Sequence, residues 1–192
     1  MKIILASSSP RRKELMDLAR LDYEILVSDL EEMRNRTLSI EEQSKDLAMQ
    51  KAKFIYDNTQ GDRVIIAADT LVVKGDKVFG KPEDRDDAVR MLRELQGAKH
   101  QIYTSIAVLI DDRGDEKEYN ELHKTAVYIN PMSDMEIKNY IANEMPFDKA
   151  GSYGVQDSFA TFINKIEGSY TNALGLPIDR IYEILKENEI DC

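Results

Sequence analysis

Apolar residues recur along this chain in two ways, as short β-branched runs and as stripes at helical spacing. Residues 3–6 form the first run, stopped by Ser7-Ser8-Ser9-Pro10. Serine followed by proline is a strong helix start, and Leu15, Leu18 and Ala19 then supply an apolar face. Residues 23–27 predict a second strand, and the acidic stretch Asp29-Leu30-Glu31-Glu32 follows it. Ser39-Ile40-Glu41-Glu42 is a capping box that opens a helix to about Tyr56, with Leu47, Ala48, Ala52 and Ile55 as its core stripe. Residues 63–73 are almost continuously apolar and β-branched, the pattern of a central strand covered on both faces. Lys74-Gly75-Asp76-Lys77 reads as a hairpin turn into Val78-Phe79.

A helix with an acidic first turn (Glu83, Asp84, Asp86, Asp87) runs to Leu95 and is stopped by Gly97. Residues 102–110 and 117–129 predict two long strands joined by Asp111-Asp112-Arg113-Gly114. Ser133-Asp134-Met135-Glu136 is a second capping box, opening a helix to about Asn143. Residues 146–175 hold four of the nine glycines and read as loop with short strands at 152–156 and 160–166. Pro177 opens a last helix with Ile178, Ile181, Ile184 and Leu185 on one side. Alternating helices and strands around a long central hairpin predict an α/β fold, a mixed twisted sheet with flanking helices. With no repeat, linker or low-complexity stretch, residues 1–192 read as a single domain.

Charge narrows the function. Lys and Arg number 26 against 36 Asp and Glu, a formal net charge of −10. This excess argues against nucleic acid or anionic lipid as the main partner, because both need a cationic footprint. A phosphate ligand would have to be caught by a local basic pocket. The one cysteine, Cys192, allows no intrachain disulfide, and the polar turn after Met1-Lys2-Ile3-Ile4-Leu5 fits neither a signal peptide nor a membrane span. A cytoplasmic location is therefore expected. With His100 and His123 as the only histidines, zinc sites of Cys and His are close to excluded. A metal, if used, would be Mg²⁺ or Mn²⁺ held by carboxylates and water.

Three features carry candidate chemistry. Ser7-Ser8-Ser9-Pro10-Arg11-Arg12 puts two arginines in a helix first turn, where acids are the usual choice. Hydroxyls of Ser7 and Ser9, free amides and two guanidiniums would suit an anion there, although pairing with neighbouring acids explains the arginines too. Lys51 lies four residues from both Leu47 and Ile55, inside the apolar stripe, so its ammonium either snorkels or enters a pocket. Asp69 interrupts a two-sided apolar strand, which costs stability unless the carboxylate is paired, metal-bound or used; a bulge or cap at Asp69-Thr70 is the plainer explanation. Weaker signals are Glu31-Glu32, either metal ligands or a solvated turn, and Gly80-Lys81-Pro82, a lysine on a constrained loop. In Asp148-Lys149-Ala150-Gly151-Ser152-Tyr153-Gly154-Val155-Gln156, glycines permit close backbone approach and Gln156 offers an amide suited to a base edge. No P-loop or Rossmann fingerprint exists.

Taken in order with Leu5-Ala6-Ser7-Ser8-Ser9-Pro10-Arg11-Arg12-Lys13-Glu14-Leu15, Lys51-Ala52, Ala68-Asp69-Thr70 and Gly175-Leu176-Pro177, these segments resemble the Maf family from end to end. The resemblance implies the α/β fold of inosine triphosphate pyrophosphatases, two lobes with a central cleft. It also implies house-cleaning hydrolysis of nucleoside triphosphates to monophosphate and pyrophosphate with a divalent metal, and a link to inhibition of septum formation. The Tyr-Gly-x-Gln ending is similar to the subgroup acting on dTTP and UTP. Carried over by position, Asp69 matches the proton acceptor and Arg11, Thr70 and Gln156 the specificity positions. Arg12, Lys51 and Lys81 match phosphate-binding positions, and Glu32, with Asp69, stands near the metal. Ala67, Ser152 and Asp157 depart from the family pattern, the last beside the base-reading glutamine. The rivals are a non-catalytic nucleotide-binding regulator of cell division and a sugar-phosphate enzyme, the latter giving Gln156 no role. A homodimer is expected only because two-fold dimers are common.

Overall fold

The computed structural model describes residues 1–27, 29, 33, 35 and 37–190. Its elements are β1 (Lys2–Leu5), α1 (Pro10–Leu18), β2 (Glu24–Ile25), α2 (Ile40–Asp57), β3 (Arg63–Lys74), β4 (Lys77–Phe79) and α3 (Arg85–Leu95). These are followed by β5 (Lys99–Asp112), β6 (Asp115–Ile129), α4 (Asp134–Glu144), β7 (Ile163–Glu167), α5 (Tyr170–Leu174) and α6 (Ile178–Glu187). One seven-stranded sheet runs β2-β1-β3-β5-β6-β7, with β4 paired to β3. β1 lies parallel to both β2 and β3, whereas β3–β4 and β6–β7 are antiparallel, so the sheet is mixed as the alternation of elements predicts. Helices flank it, and the fold is α/β.

The chain divides into two compact units. The first comprises Met1–Asp69, Thr104–His123 and Gly175–Cys192, and the second Thr70–Tyr103 and Lys124–Leu174. In the first unit, the capping box at Ser39 is realised in full. Glu42 N–H donates to Ser39 Oγ at 3.3 Å and Ser39 N–H to Glu42 Oε2 at 2.9 Å, which fixes where α2 starts. The stripe then places Ala48, Met49, Ala52 and Ile55 of α2 against Ile4 and Ala6, Ile65 and Ala67, and Ala107 and Leu109. Alanines on the helix, on β3 and β5, and just past the end of β1 let the α2 backbone come close to the sheet.

Strand parity follows. Ile65 and Ala67 of β3 face α2, so Asp69, two residues on, belongs to the same face. β3 continues through Asp69 to Lys74 without ending there, and the residue is a strand residue and no cap.

The second unit has its own core. α3 contributes Ala88, Met91, Leu92 and Leu95, α4 contributes Ile137, Tyr140 and Ile141, and the glycine-rich segment adds Tyr153, Val155 and Phe159. α4 starts at the sequence-predicted cap, Ser133, whereas Asp84, expected inside the first turn of α3, is its N-cap.

Several sequence expectations need correction. Leu18 is 72% exposed, and the buried face of α1 is Leu15 and Met16; Leu18 lies about 200° around the helix from Met16. The second strand shrinks to Glu24–Ile25, with Leu26 and Val27 exposed. Residues 152–156 form no strand, because Gly151 (φ +69°) and Ser152 (φ +62°) are both left-handed and Ala150–Ser152 is a 3₁₀ turn. The strand expected at 160–166 begins only at Ile163, since Asp157 caps a 3₁₀ turn over Ser158–Phe162.

Gly151 is fixed by more than its φ. A Cβ there would stand 3.0 Å from Val72 Cγ2 and 3.2 Å from Leu95 Cδ1. Gly151→Ala combines a left-handed alanine with crowding in a packed core, and we expect it to destabilise by at least about 2 kcal/mol. Urea unfolding checks this through a lower midpoint at constant m; an unmoved midpoint would refute the account.

Candidate functional site

In the first unit the charged candidates sit just past the end of the β1–β3 pairing, where β1 stops and β3 runs on. Parallel pairing sets Leu5 beside Ile66, so the chain turns polar at Ser7 on the level where β3 reaches Ala68 and Asp69. Ser9 is the N-cap residue of α1 and Pro10 its first residue, as the sequence predicts, but the Ser9 side chain makes no cap bond. Instead Ser9 N–H donates to Ser7 Oγ at 3.2 Å, and Arg12 Nη1 donates to the same oxygen at 3.1 Å. Arg12 Nε donates to the Gly175 carbonyl at 2.8 Å, in the turn before α6. The Arg12 guanidinium is thus held from two sides. No acid occupies the first turn of α1. Arg11 is half-buried beside it.

The other pair was not anticipated as a pair. Lys51 Nζ lies 2.9 Å from Asp69 Oδ1, with side chains 15% and 9% exposed, so the lysine does not snorkel. Parity on β3 and the α2 stripe jointly aim both groups at one point, a signal the sequence holds when the two periods are combined. Asp69 Oδ2 is buried with no hydrogen-bond partner among the described residues. A buried carboxylate oxygen left in this condition costs free energy unless something fills its lone pairs. A water, a substrate hydrogen or a divalent cation would each suit it.

Among the described residues no three carboxylates, imidazoles or thiolates converge as a metal cage. Glu32, the other expected metal residue, lies outside the described residues. Mg²⁺ commonly keeps several waters and takes only one or two protein carboxylates, so a lone oxygen at Asp69 remains compatible with it.

In the second unit, Thr70 follows Asp69 on β3, Lys81 is exposed on the loop after β4, and Gln156 is exposed on the glycine-rich segment. Gly151 N–H donates to the Gly80 carbonyl at 2.9 Å, tying the lysine loop to that segment. Two buried polar contacts, absent from the sequence reading, hold the segment. His100 Nε2 lies 2.6 Å from the Tyr153 hydroxyl. Tyr140 on α4 bonds to Asp157 and Gly154. Buried tyrosines need a partner for the hydroxyl, which is the signal that could have found them. Burial pushes the Asp157 carboxyl up, opposed by its bonds from Phe159 N–H and Tyr140.

A family profile described as Maf-like protein matches residues 2–188. The chain belongs to the Maf family. Maf-family relatives named dTTP/UTP pyrophosphatase include one from Alkaliphilus oremlandii, 43% identical over 187 residues that span 97% of this chain and 96% of that protein. Another, from Bacillus cereus (strain ATCC 14579), is 40% identical over 190 residues, 99% of this chain and 97% of that protein. Among solved structures, a HAM1 protein from Coxiella burnetii aligns with a TM-score of 0.49 and 15% identity, covering 97% of this chain and 99% of its own. No described helix is long and apolar enough to cross a membrane.

His100 gives a pH prediction. Burial first, then the charge of Lys74, lowers its pKa from 6.5 to about 4. Between those values the unfolded chain takes up a proton that the folded one refuses, so stability falls as pH drops through this window, by up to about 3 kcal/mol. His100→Gln removes that titration, and its unfolding free energy should decline less steeply than wild type from pH 6.5 to 4. Parallel declines would show that His100 does not titrate as described.

Proposed function

We propose that this Maf-family protein is a nucleoside triphosphate diphosphatase that hydrolyses dTTP and UTP to the monophosphate and pyrophosphate. The near full-length identity to relatives named dTTP/UTP pyrophosphatase supports the activity. The observation that carries the chemistry is Asp69, a buried carboxylate with Oδ1 on Lys51 and Oδ2 unfilled. Water attacks the α-phosphorus, the bond from that phosphorus to the bridging oxygen breaks, and pyrophosphate leaves. Asp69 takes the water's proton on Oδ2, while Lys51 holds Oδ1 and so orients the carboxylate.

The triphosphate carries roughly −4, and a protein of net charge −10 can hold it only through placed cations. Arg12, oriented by Gly175 and Ser7, binds phosphate, as do Lys51, Lys81, Arg11 and the hydroxyls of Ser7 and Ser9. Thr70, Arg11 and Gln156 set the base preference. A divalent cation, Mg²⁺ or Mn²⁺, when bound supplies charge neutralisation on the phosphates and a more acidic water. Asp69 Oδ2 and Glu32 would hold it.

Asp69→Asn keeps an acceptor for Lys51 while removing the base, so kcat for pyrophosphate release should fall about 10²–10⁴-fold with the thermal midpoint little changed. Release at the wild-type rate in this variant would refute the role of Asp69. A panel of canonical nucleoside triphosphates with Mg²⁺ or Mn²⁺ tests the substrate. Pyrophosphate should appear from dTTP and UTP and stop with chelator. Turnover of purine triphosphates alone would overturn the pyrimidine preference, and tight binding without release would mark a nucleotide-binding regulator.

A further inference from the structure

Gln156 sits on an exposed turn, a poor place for a residue that must present an amide to a base in one orientation. What restrains the turn is a relay of hydrogen bonds behind it. Gly154 N–H donates to the Tyr140 phenol oxygen at 3.2 Å. The same phenol donates to the Asp157 carboxylate, 3.1 Å from Oδ2 and 3.3 Å from Oδ1. Asp157 Oδ1 also accepts from Phe159 N–H at 2.9 Å, capping the 3₁₀ turn that follows. Both ends of the four-residue stretch Gly154-Val155-Gln156-Asp157 are thereby fastened to one phenol.

That phenol has little freedom. Tyr140 is 4% exposed on α4, among Ile137 and Ile141, and its ring meets Phe159 edge-on at 4.9 Å. The stretch is closed so tightly that a Cβ on Gly154 would lie 2.4 Å from Asp157 Oδ2. Glycine at this position is what lets the carboxylate fold back over its own turn.

We infer that Tyr140 and Asp157 are positioning residues for Gln156, fixing the turn before a nucleotide arrives and so setting base discrimination. This rests on the base-reading role of Gln156 proposed above. Ordering an exposed turn only on binding would subtract from affinity; a relay anchored in a helix supplies the order in advance. Neither residue needs to touch substrate. Their effect should fall on KM and on the choice of base, while kcat for dTTP, set by Asp69 and the cations, stays within about twofold.

A double-mutant cycle on the full-length protein, assayed with dTTP and dATP in the presence of Mg²⁺, tests this. The readout is the ratio of kcat/KM for dTTP to that for dATP. Tyr140→Phe keeps the ring and loses the relay, and should lower the ratio about 3–10-fold through KM. Gln156→Ala should lower it at least as far, and Tyr140→Phe should lower it no further in the Gln156→Ala background. Asp157→Asn retains acceptors for Phe159 N–H and the phenol and should keep most of the ratio, whereas Asp157→Ala should lose it. If Gln156→Ala lowers the ratio and Tyr140→Phe does not, or if the two effects multiply, the positioning role is overturned and the base-reading role stands. If Gln156→Ala leaves the ratio unchanged, the base-reading role itself falls and the inference with it. Amide exchange provides a readout independent of turnover. In Asp157→Ala, which also serves if Tyr140→Phe does not fold, exchange at Gly154 and Gln156 should rise at least tenfold relative to α4. Unchanged protection there overturns the inference.

Discussion

The contact on which the proposed chemistry depends is the ion pair between Lys51 and Asp69. Two charges this far from water are costly to desolvate, and their attraction offsets that cost only with close geometry. The surrounding sequence supplies that geometry by plain arithmetic. Isoleucine, alanine and aspartate at 65, 67 and 69 put the carboxylate at the end of a row facing α2. Ala48 and Ala52 bring the helix close enough for Lys51 to reach it, and the capping box at Ser39 fixes where the helix begins. Replacing those alanines with bulkier residues would push the helix outward and lengthen the ion pair. Only one oxygen of Asp69 is satisfied by the pair. A purely structural carboxylate would be expected to fill both, so the unfilled oxygen is what turns a structural contact into a candidate for chemistry.

The second unit uses hydrogen bonds of buried aromatic side chains for an analogous end. His100 with Tyr153, and Tyr140 with Gly154 and Asp157, fasten the glycine-rich segment at successive points. Burial keeps His100 uncharged near neutral pH and keeps both phenols protonated, so these bonds persist across the range in which a triphosphate is fully ionised. On the proposed base-reading role, the order Gln156 needs comes from the core beneath its turn.

Long elements were legible because their periods are unambiguous. The capping boxes at Ser39 and Ser133, the β-branched run of β3 and the stripe of α6 each state one structure. Short elements were not, since a nine-residue helix such as α1 has too few turns for Leu18 to be told from a core residue. The glycine-rich segment misled for another reason. Tyr153 and Val155 alternate with smaller residues as a strand would, yet the left-handed backbone at Gly151 and Ser152 redirects them into the core without any ladder. Within the candidate site, the identities of Asp69, Lys51 and Arg12 could be read from broken local rules, an acid in an apolar strand or cations where acids belong. The bonds joining them could not, because each depends on two elements meeting, and a single segment's pattern is silent about its neighbour.

The acidic balance of the chain acquires a meaning from these contacts. Many of its cations are paired with acids in plain view: Arg90 with Asp87 and Glu94, Arg93 with Asp134, Arg180 with Glu121 and Glu187. Arg12 also donates to a carbonyl and a hydroxyl, those of Gly175 and Ser7, and these bonds orient its guanidinium. A polyanion approaching the rest of the surface meets net negative potential, whereas a small triphosphate can enter a local field set by a few fixed cations. Under the proposed activity, the surplus of acid disfavours extended polyanions and leaves a small triphosphate to a few placed cations.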